Sequence, residues 1–593
     1  MLFAKNFARL VSGTRLNWAR PILSPAWACL LAVAVSGFAV TTPPRAELPR
    51  VYIDTTYNLP TGGTTWAAHT SAQLSSALRT SQPGDVIVLD AGATYMGNFQ
   101  LPQKSNPSNR WIYITTSRYS SLPAPGTRVG IADAVNMPKI VSPGNTPDFL
   151  MLGGANHFRF VGVEMMANSN YPSGCPVTRN CTTANFIGIN YPPNPLPDSI
   201  FVDRCYLHGG PTQDIQGGFL MNGSNMAIVD SYVDDIHYLA TDSWGVGANI
   251  SPGPIKIVNN FIAASSENII FGGGGGGYGG FLPSDIEIRN NYLFKPLSWV
   301  PLSMTTHTLF VKNAFECKAC SRLLFDNNTI ENVWAGGQLG NAIGLTVRTG
   351  QSGNFAVVSD ITITNNVLKN VVWFVNTLAI DDTCGPGGPY PSCTNPGSQA
   401  RWNISNNLVT FFDPTALGGG NNIGIALQPS LNRFTGGGGQ MHDIVFQHNT
   451  LIQNGSHPCW AGVYFGVGNF TTPPSNGLTS NIWILDNVLC GQPYGSWGFD
   501  LTALKKHMGM PNVAPNDVTQ RYYGNVMYVP TGTKVQVFTP HNYSTTLPFV
   551  FANPASFNYQ LVSPYWTDTS DGHLAGINAA QNGVALPIRA VRQ

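Results

Sequence analysis

The sequence predicts an all-β fold: a single-stranded parallel β-helix with an N-terminal capping helix and an interior asparagine ladder. Three observations lead there. First, a short motif of alternating apolar residues followed by Asn-Asn or a close variant recurs along the chain. It reads IKIVNNFI at 255–262, IEIRNNYL at 286–293, LLFDNNTI at 323–330 and ITITNNVL at 361–368, then WNISNNLV, IVFQHNTL and IWILDNVL, with a weaker copy at 521–528. The second Asn falls at Asn260, Asn291, Asn328, Asn366, Asn407, Asn449, Asn487 and Asn525, at intervals of 31 to 42 residues, and one strand signature per repeat of this length specifies an array. Second, the alternation has period two and no amphipathic helices separate the copies, which disfavours βα repeats. Third, 63 Gly and 44 Pro among 593 residues, only 10% charged and 43% hydrophobic, suit a turn-rich β protein with a large core and exclude a disordered chain.

In a stack of parallel coils, residues at one offset lie about 4.8 Å apart. A repeated interior Asn therefore becomes a ladder, bonding turn backbone and its neighbours above and below. Earlier copies at 158–165, 200–207 and 227–234 carry Val163, Cys205 and Ser231 at that offset, which makes Cys205 an interior thiol. Gly runs at 272–277, 418–420 and 436–439 mark loops leaving the coil.

The remaining elements follow from either end. Lys5, Arg9, Arg15 and Arg20 precede an apolar stretch from Ala26 to Val40, and Gly37-Phe38-Ala39 offers small residues for cleavage after Ala39. Residues 1–39 are read as a signal peptide, 40–70 as an N-terminal extension, 71–580 as the β-helix and 581–593 as a tail. Export implies a secreted or cell-envelope protein with no membrane span after cleavage. It also permits disulfides at Cys175/Cys181, Cys317/Cys320, Cys384/Cys393 and Cys459/Cys490. Ser71 to Leu78 form a short helical pattern with Leu74 and Leu78 on one face, Pro83-Gly84-Asp85 turns the chain, and Val86–Leu89 enters a strand. Such a helix covers the open end of a solenoid. A formal charge of +1 argues against nucleic acid as a partner.

A β-helix interior is filled by side chains, so a ligand must lie along an outer groove. Segments 267–271, 311–318, 342–348, 377–382 and 423–428 read as one further strand per coil. Their ends bring Glu316 and Lys318, then Arg348, then Asp381 and Asp382 onto neighbouring coils. Glu316, Lys318, Arg348 and Asp381 are the catalytic candidates, and Asp381 with Asp382 the candidate Ca²⁺ ligands through oxygen. Two carboxylates two coils apart suit inverting hydrolysis, whereas Arg348 and Lys318 neutralising a uronate carboxylate while a base removes the adjacent proton is β-elimination. The competing reading is an external salt-bridged ladder. Trp334, Gln428, Asp242 and Glu267 are the substrate-binding candidates; Trp244, Trp299 and Trp373 join Trp334 as aromatic platforms for sugar rings. Asp234, Asp235, His237 and Asp242 surround one turn, a second carboxylate cluster or turn caps, and His208 and His448 fit turn or ladder roles.

The entry LSSALRTSQPGDVIVLDAGATYMGNF resembles secreted right-handed parallel β-helix proteins of the pectate-lyase-like superfamily. The middle, through DSYVDDIHYLATDSWGVGANISPGPIKIVNN, SSENIIFGG, SDIEIRNNYLFKPLSW and VKNAFECKACSRLLFDNNTIENVW, resembles bacterial β-helix proteins often left without an assigned activity. The resemblance spans about residues 70–580. It implies the fold and a polysaccharide partner; the superfamily holds lyases, hydrolases, epimerases and non-catalytic binders. The polygalacturonase set (Asn-Thr-Asp, Asp-Asp, Gly-His-Gly, Arg-Ile-Lys) is absent as a set, and so is the Trp-Ile-Asp-His strand of pectate lyases. The capping and first strands resemble alginate-lyase-type and chondroitinase-type β-helices, whose Lys–Arg chemistry with Ca²⁺ is what the resemblance adds to the lyase reading. The expectation is cleavage of an acidic polysaccharide, lyase ahead of hydrolase, against a non-catalytic glycan-binding or structural β-helix.

Overall fold

The computed structural model describes residues 45–168, 185–190, 194–273, 281–305, 309–348, 357–379, 398–413, 417, 422–428, 440–453, 459–465, 479–490, 496–497, 521–528, 542–545, 549–553, 558–562 and 569–577, except positions 57, 107, 212 and 240. All of them belong to one compact unit, Pro43–Gln593. The expected signal peptide, the Cys175/Cys181 and Cys384/Cys393 pairs, Asp381, Asp382 and the tail at 581–593 lie outside the described residues. Among the described residues, no helix is long and apolar enough to cross a membrane.

The chain is a parallel β-helix. Three sheets of 14, 12 and 14 strands run the length of the unit, and each strand pairs with its counterparts one coil away. A strand of the first sheet repeats the pattern of inward apolar residues: Ile255, Ile286, Leu323, Ile361, Trp402, Ile444 and Ile482 are register partners in turn. All are buried in one continuous core, so hydrophobic burial acts along the solenoid axis rather than around one centre.

Each coil turns from the first sheet into the third at the Asn-Asn pair, and its two asparagines do different work. The second points inward. Asn291 Nδ2 donates to Asn328 Oδ1 (3.0 Å) and to the Ile257 carbonyl (2.8 Å), while its backbone N–H donates to the same Asn328 oxygen (2.9 Å). The same triplet repeats at Asn366, Asn407, Asn449, Asn487 and Asn525. Asn542 extends the row although it follows Asn525 by only 17 residues, a short coil that the sequence spacing hid. Upstream, Ser231 accepts from the Cys205 N–H (3.1 Å), and Cys205 is a buried free thiol pushed up to about 12 by burial. The first asparagine of each pair instead adopts the left-handed conformation, with φ of 59° at Asn259, 58° at Asn290, 54° at Asn327 and 59° at Asn365. Asn enters this region more readily than most L residues.

The helix Ser71–Thr80 buries Leu74, Ala77 and Leu78, and the Thr70 hydroxyl caps it by accepting from the Gln73 N–H (3.2 Å). Lys104, buried, donates to the Arg79 and Ser81 carbonyls at the other end (2.9 and 2.7 Å). A strand of the first sheet, Thr65–Ala68, precedes this helix, so the coil starts before residue 71. The extension before it is a strap across successive coils. Its Glu47 N–H donates to Asp360 (3.2 Å) and its Arg50 N–H to Asp285 (2.9 Å). The Ile53 carbonyl accepts from Lys256 (2.9 Å), and that of Thr55 from Arg159 (2.9 Å). Cys317–Cys320 and Cys459–Cys490 are disulfides.

Candidate active site

The second sheet carries the candidate chemistry. Ile270, Glu316, Gly344 and Asn376 are register partners on successive coils. Glycine at position 344 keeps the surface beside Glu316 low: a Cβ there would meet Asn313 Nδ2 at 3.2 Å and Glu316 Cγ at 3.5 Å. One strand earlier, Trp244 pairs with Glu267. Above these strands opens a cleft of about 160 Å³ lined by Asp242, Trp244, Asn249, Glu267, Gly273 and Lys318 among others.

Glu267 is the unusual group in it. Its side chain is completely buried, and neither carboxyl oxygen accepts a hydrogen bond. The nearest cation is Lys312, whose Nζ lies 3.7 Å from Glu267 Oε1 and 2.5 Å from Asp242 Oδ1. On the next coil, Glu316 is also buried. Its Oε1 accepts from the Thr346 hydroxyl (3.2 Å), and Lys318 Nζ lies 3.5 Å from its Oε2, which accepts no hydrogen bond. Burial, with the Glu316 charge adding to it, raises the Glu267 carboxyl well above the usual range, while Lys312 opposes the shift. Burial works against the Lys312 charge, but Glu267 and Asp242 outweigh it and hold the ammonium above its ordinary value.

A second buried lysine supports this arrangement from within. Lys295 is fully buried, and its Nζ donates to the carbonyls of Ala264, Ser265 and Ser266 (2.7, 2.8 and 3.2 Å), the turn immediately before Glu267. Burial lowers its pKa, and Glu267 pulls the other way. Lys295 and Lys312 were not among the sequence candidates. Only 10% of the chain is charged, so a lysine inside the apolar run NYLFKP, or opening the strand segment VKNAFECK, was the available signal.

The structure brings together Glu316, Lys318, Asp242 and Glu267, which the sequence reading had divided between catalysis and binding. Arg348 stands one coil on: its backbone N–H donates to the Lys318 carbonyl (2.8 Å), and its side chain is half-buried. Gln428 sits farther along the same sheet and donates to Asn376 Oδ1 (2.6 Å). Trp334 corrects an expectation. It is 0% exposed, packs with Leu309, Val311 and Val372, and donates its indole N–H to the Ser303 hydroxyl (2.8 Å). It is therefore a packing residue and offers no face to a sugar. Trp299 is buried in the same cluster, whereas Trp244 and Trp373 are half-buried. Asp234 and Asp235 belong to a strand of the third sheet, Tyr232–Ile236. On that sheet His208 stacks on Tyr206 (4.1 Å between ring centroids) and contacts Glu164 (3.0 Å).

The expected Ca²⁺ ligands Asp381 and Asp382 lie outside the described residues. Within the cleft each carboxylate already has an ammonium within 3.7 Å. Lys312 and Lys318 supply the positive charge a Ca²⁺ ion would bring, so these carboxylates do not fit a Ca²⁺ site.

No protein-family model matches the chain, and no curated protein sequence matches it. Solved structures do. The family 6 alginate lyase AlyGC is 13% identical, with a TM-score of 0.49, over 89% of this chain and 60% of that one. A family 28 exopolygalacturonase from Yersinia enterocolitica is 12% identical, with a TM-score of 0.40, over 70% of this chain and 79% of its own. A surface adhesin of Streptococcus pneumoniae, PfbA, is 8% identical, with a TM-score of 0.36, over 81% and 88%.

Proposed function

We propose that the chain is an exported enzyme that cleaves an acidic polysaccharide in the Glu267–Glu316 cleft, by β-elimination. One observation carries the proposal: Glu267, buried and without a hydrogen-bond donor, lines an open cleft with Lys318, while Lys312 stands beside Glu267 and the buried Glu316 beside Lys318. A buried acid whose oxygens accept no hydrogen bond costs stability, and such costs concentrate at sites of proton transfer. In the proposed reaction Lys318, with Arg348 on the next coil, faces the uronate carboxylate and stabilises the enolate that forms. Glu316 takes the proton α to that carboxylate. Glu267, held protonated by its surroundings, gives its proton to the departing glycosidic oxygen. The C–H and C–O bonds break, a C=C bond forms, and no water is consumed. Trp244 offers a half-buried ring for the neighbouring sugar. Export is supported by two disulfides among the described residues and by the basic and apolar character of residues 1–39.

A specific observation favours one rival. Lys312 pairs with Asp242 and Lys318 with Glu316, as they would in a purely structural charge cluster on a glycan-binding or scaffolding β-helix. Incubating the protein with a panel of acidic and neutral polysaccharides distinguishes the readings. Ultraviolet absorbance of an unsaturated uronate rising together with reducing ends is the expected result. Reducing ends alone make it a hydrolase. Neither signal, with saturable glycan binding, establishes the binder and overturns the proposal.

A further inference from the structure

At the far end of the coil, away from the cleft in sequence, the left-handed corner position that holds Asn in the five preceding coils is taken by His448 and then by Asp486, with φ of 53° and 55°. The segment 569–577 folds back onto this corner and adds Asp571. His448 Nε2, Asp486 and Asp571 each present one ligand atom, all within 4.8 Å of one another. Nε2 lies 2.9 Å from Asp571 Oδ2 and 3.8 Å from Asp486 Oδ2.

Two features separate this group from a surface cluster of acids. The first is that the atoms behind the three ligand atoms are already fixed. His448 Nδ1 lies 3.2 Å from the Gly576 carbonyl, which turns Nε2 toward the carboxylates, where it hydrogen-bonds Asp571 Oδ2 (2.9 Å), a contact that a bound cation would replace. Asp571 Oδ1 accepts from the His573 N–H (3.0 Å). Asp486 accepts from the Ser570 N–H (2.8 Å), the Ser570 hydroxyl and Gln447 Nε2 (3.2 Å). Carbonyl-anchored imidazole and hydrogen-bonded carboxylates are the usual outer support of metal ligands. The second is charge. Among the described residues no lysine or arginine forms an ion pair with either aspartate, and His448 and Asp486 are both buried. A divalent cation would balance the two carboxylates in place of the imidazole ring that now pairs with both. One nitrogen and two oxygens at these separations suit Zn²⁺, with N and O ligands about 2.0–2.2 Å from the ion.

We propose that His448, Asp486 and Asp571 form a Zn²⁺ site that pins the C-terminal segment 569–577 across two successive coils. The ion joins a ligand from each coil to one from the returning segment, next to the hydrogen bonds from Gly576 N–H to the Asp486 carbonyl (2.7 Å) and from Ile577 N–H to Thr450 Oγ1 (2.9 Å).

The test uses the full chain, stripped with EDTA and titrated with Zn²⁺ by calorimetry, beside Asp571→Asn and His448→Gln. Asp571 is the exposed member of the three, so its variant retains the coil; circular dichroism checks this in EDTA. The proposal expects about one Zn²⁺ per chain with affinity lowered at least tenfold in each variant. It also expects Zn²⁺ to protect the 569–577 segment from proteolysis in the parent chain but not in Asp571→Asn. Equal Zn²⁺ affinity in the parent and Asp571→Asn places the ion elsewhere and overturns the assignment, as does the absence of saturable binding.

Discussion

Replacing Asn366 with alanine removes four hydrogen bonds from one corner of the coil. Its Nδ2 donates to the Phe325 carbonyl (3.1 Å) and to Asn407 Oδ1 (2.8 Å), and its Oδ1 accepts from the N–H and Nδ2 of Asn328 (2.8 and 3.2 Å). Not every partner is orphaned. Asn328 Nδ2 keeps the Ile288 carbonyl (3.0 Å), and Asn407 Oδ1 keeps the Asn366 N–H (3.1 Å). The Asn328 N–H is left with nothing in a buried place, which costs about 1–3 kcal/mol, and each further lost bond adds on the order of 1 kcal/mol. The expected loss is about 4–6 kcal/mol. Asn365, its neighbour, is half-buried at φ 59° and bonds Asp326 and Asn406 through its side chain (2.7 and 2.6 Å). Glycine accepts that backbone conformation freely, so Asn365→Gly should cost about 1 kcal/mol or less. Urea unfolding with equal slopes measures both. If Asn366→Ala costs no more than Asn365→Gly, the division of labour within the Asn-Asn pair is wrong.

Two more predictions concern burial and the strap. Because the folded state raises the Glu267 pKa, native protein binds more protons than unfolded protein between the ordinary carboxylate value, about 4.3, and the raised one. Stability from this group is therefore full at the acid end and falls as pH rises through that window. Glu267→Gln should flatten that fall in a series of unfolding temperatures against pH, and an unchanged slope would show that Glu267 does not titrate as described. Deleting residues 45–58 should remove about 2 kcal/mol, chiefly the burial of Ile53 against Phe201 and Ala227. Hydrogen exchange should then quicken at Asn156–Val161 and Ile255–Val258 of the first sheet; unaltered protection there would make the strap a passive contact.

The fold was legible because its cause is periodic. One inward apolar pattern and one Asn per coil are both printed in the sequence at near-constant spacing. The legibility failed where the period breaks, as at Asn542, or where the cause is non-local. Nothing in a string of residues says that Glu47 reaches Asp360 or that Asp571 returns to His448. The site was half legible. Glu316 lies on one strand and Lys318 directly after it, and Glu267 is a candidate in the sequence, but their union depends on how many loop residues leave each coil. Trp334 illustrates the converse: a Trp in the tract ENVW reads as a platform, yet the insertion carrying Ser303 and Leu309 folds over it. Lys295 is marked by nothing beyond its apolar run: a lone lysine usually snorkels to water, and here it bonds three carbonyls instead.

The most direct test is to follow unsaturated uronate release from acidic polysaccharides by the parent chain and by Glu267→Gln, side by side. Glutamine keeps the shape of the side chain but has no acidic proton to give. Product from the parent and a loss of at least ~100-fold in kcat for the variant, general acid–base groups contributing about 10²–10⁴, is what the account predicts. Equal rates in the two proteins would remove Glu267 from the chemistry, and no product from the parent on any acidic polysaccharide would contradict the proposed activity itself.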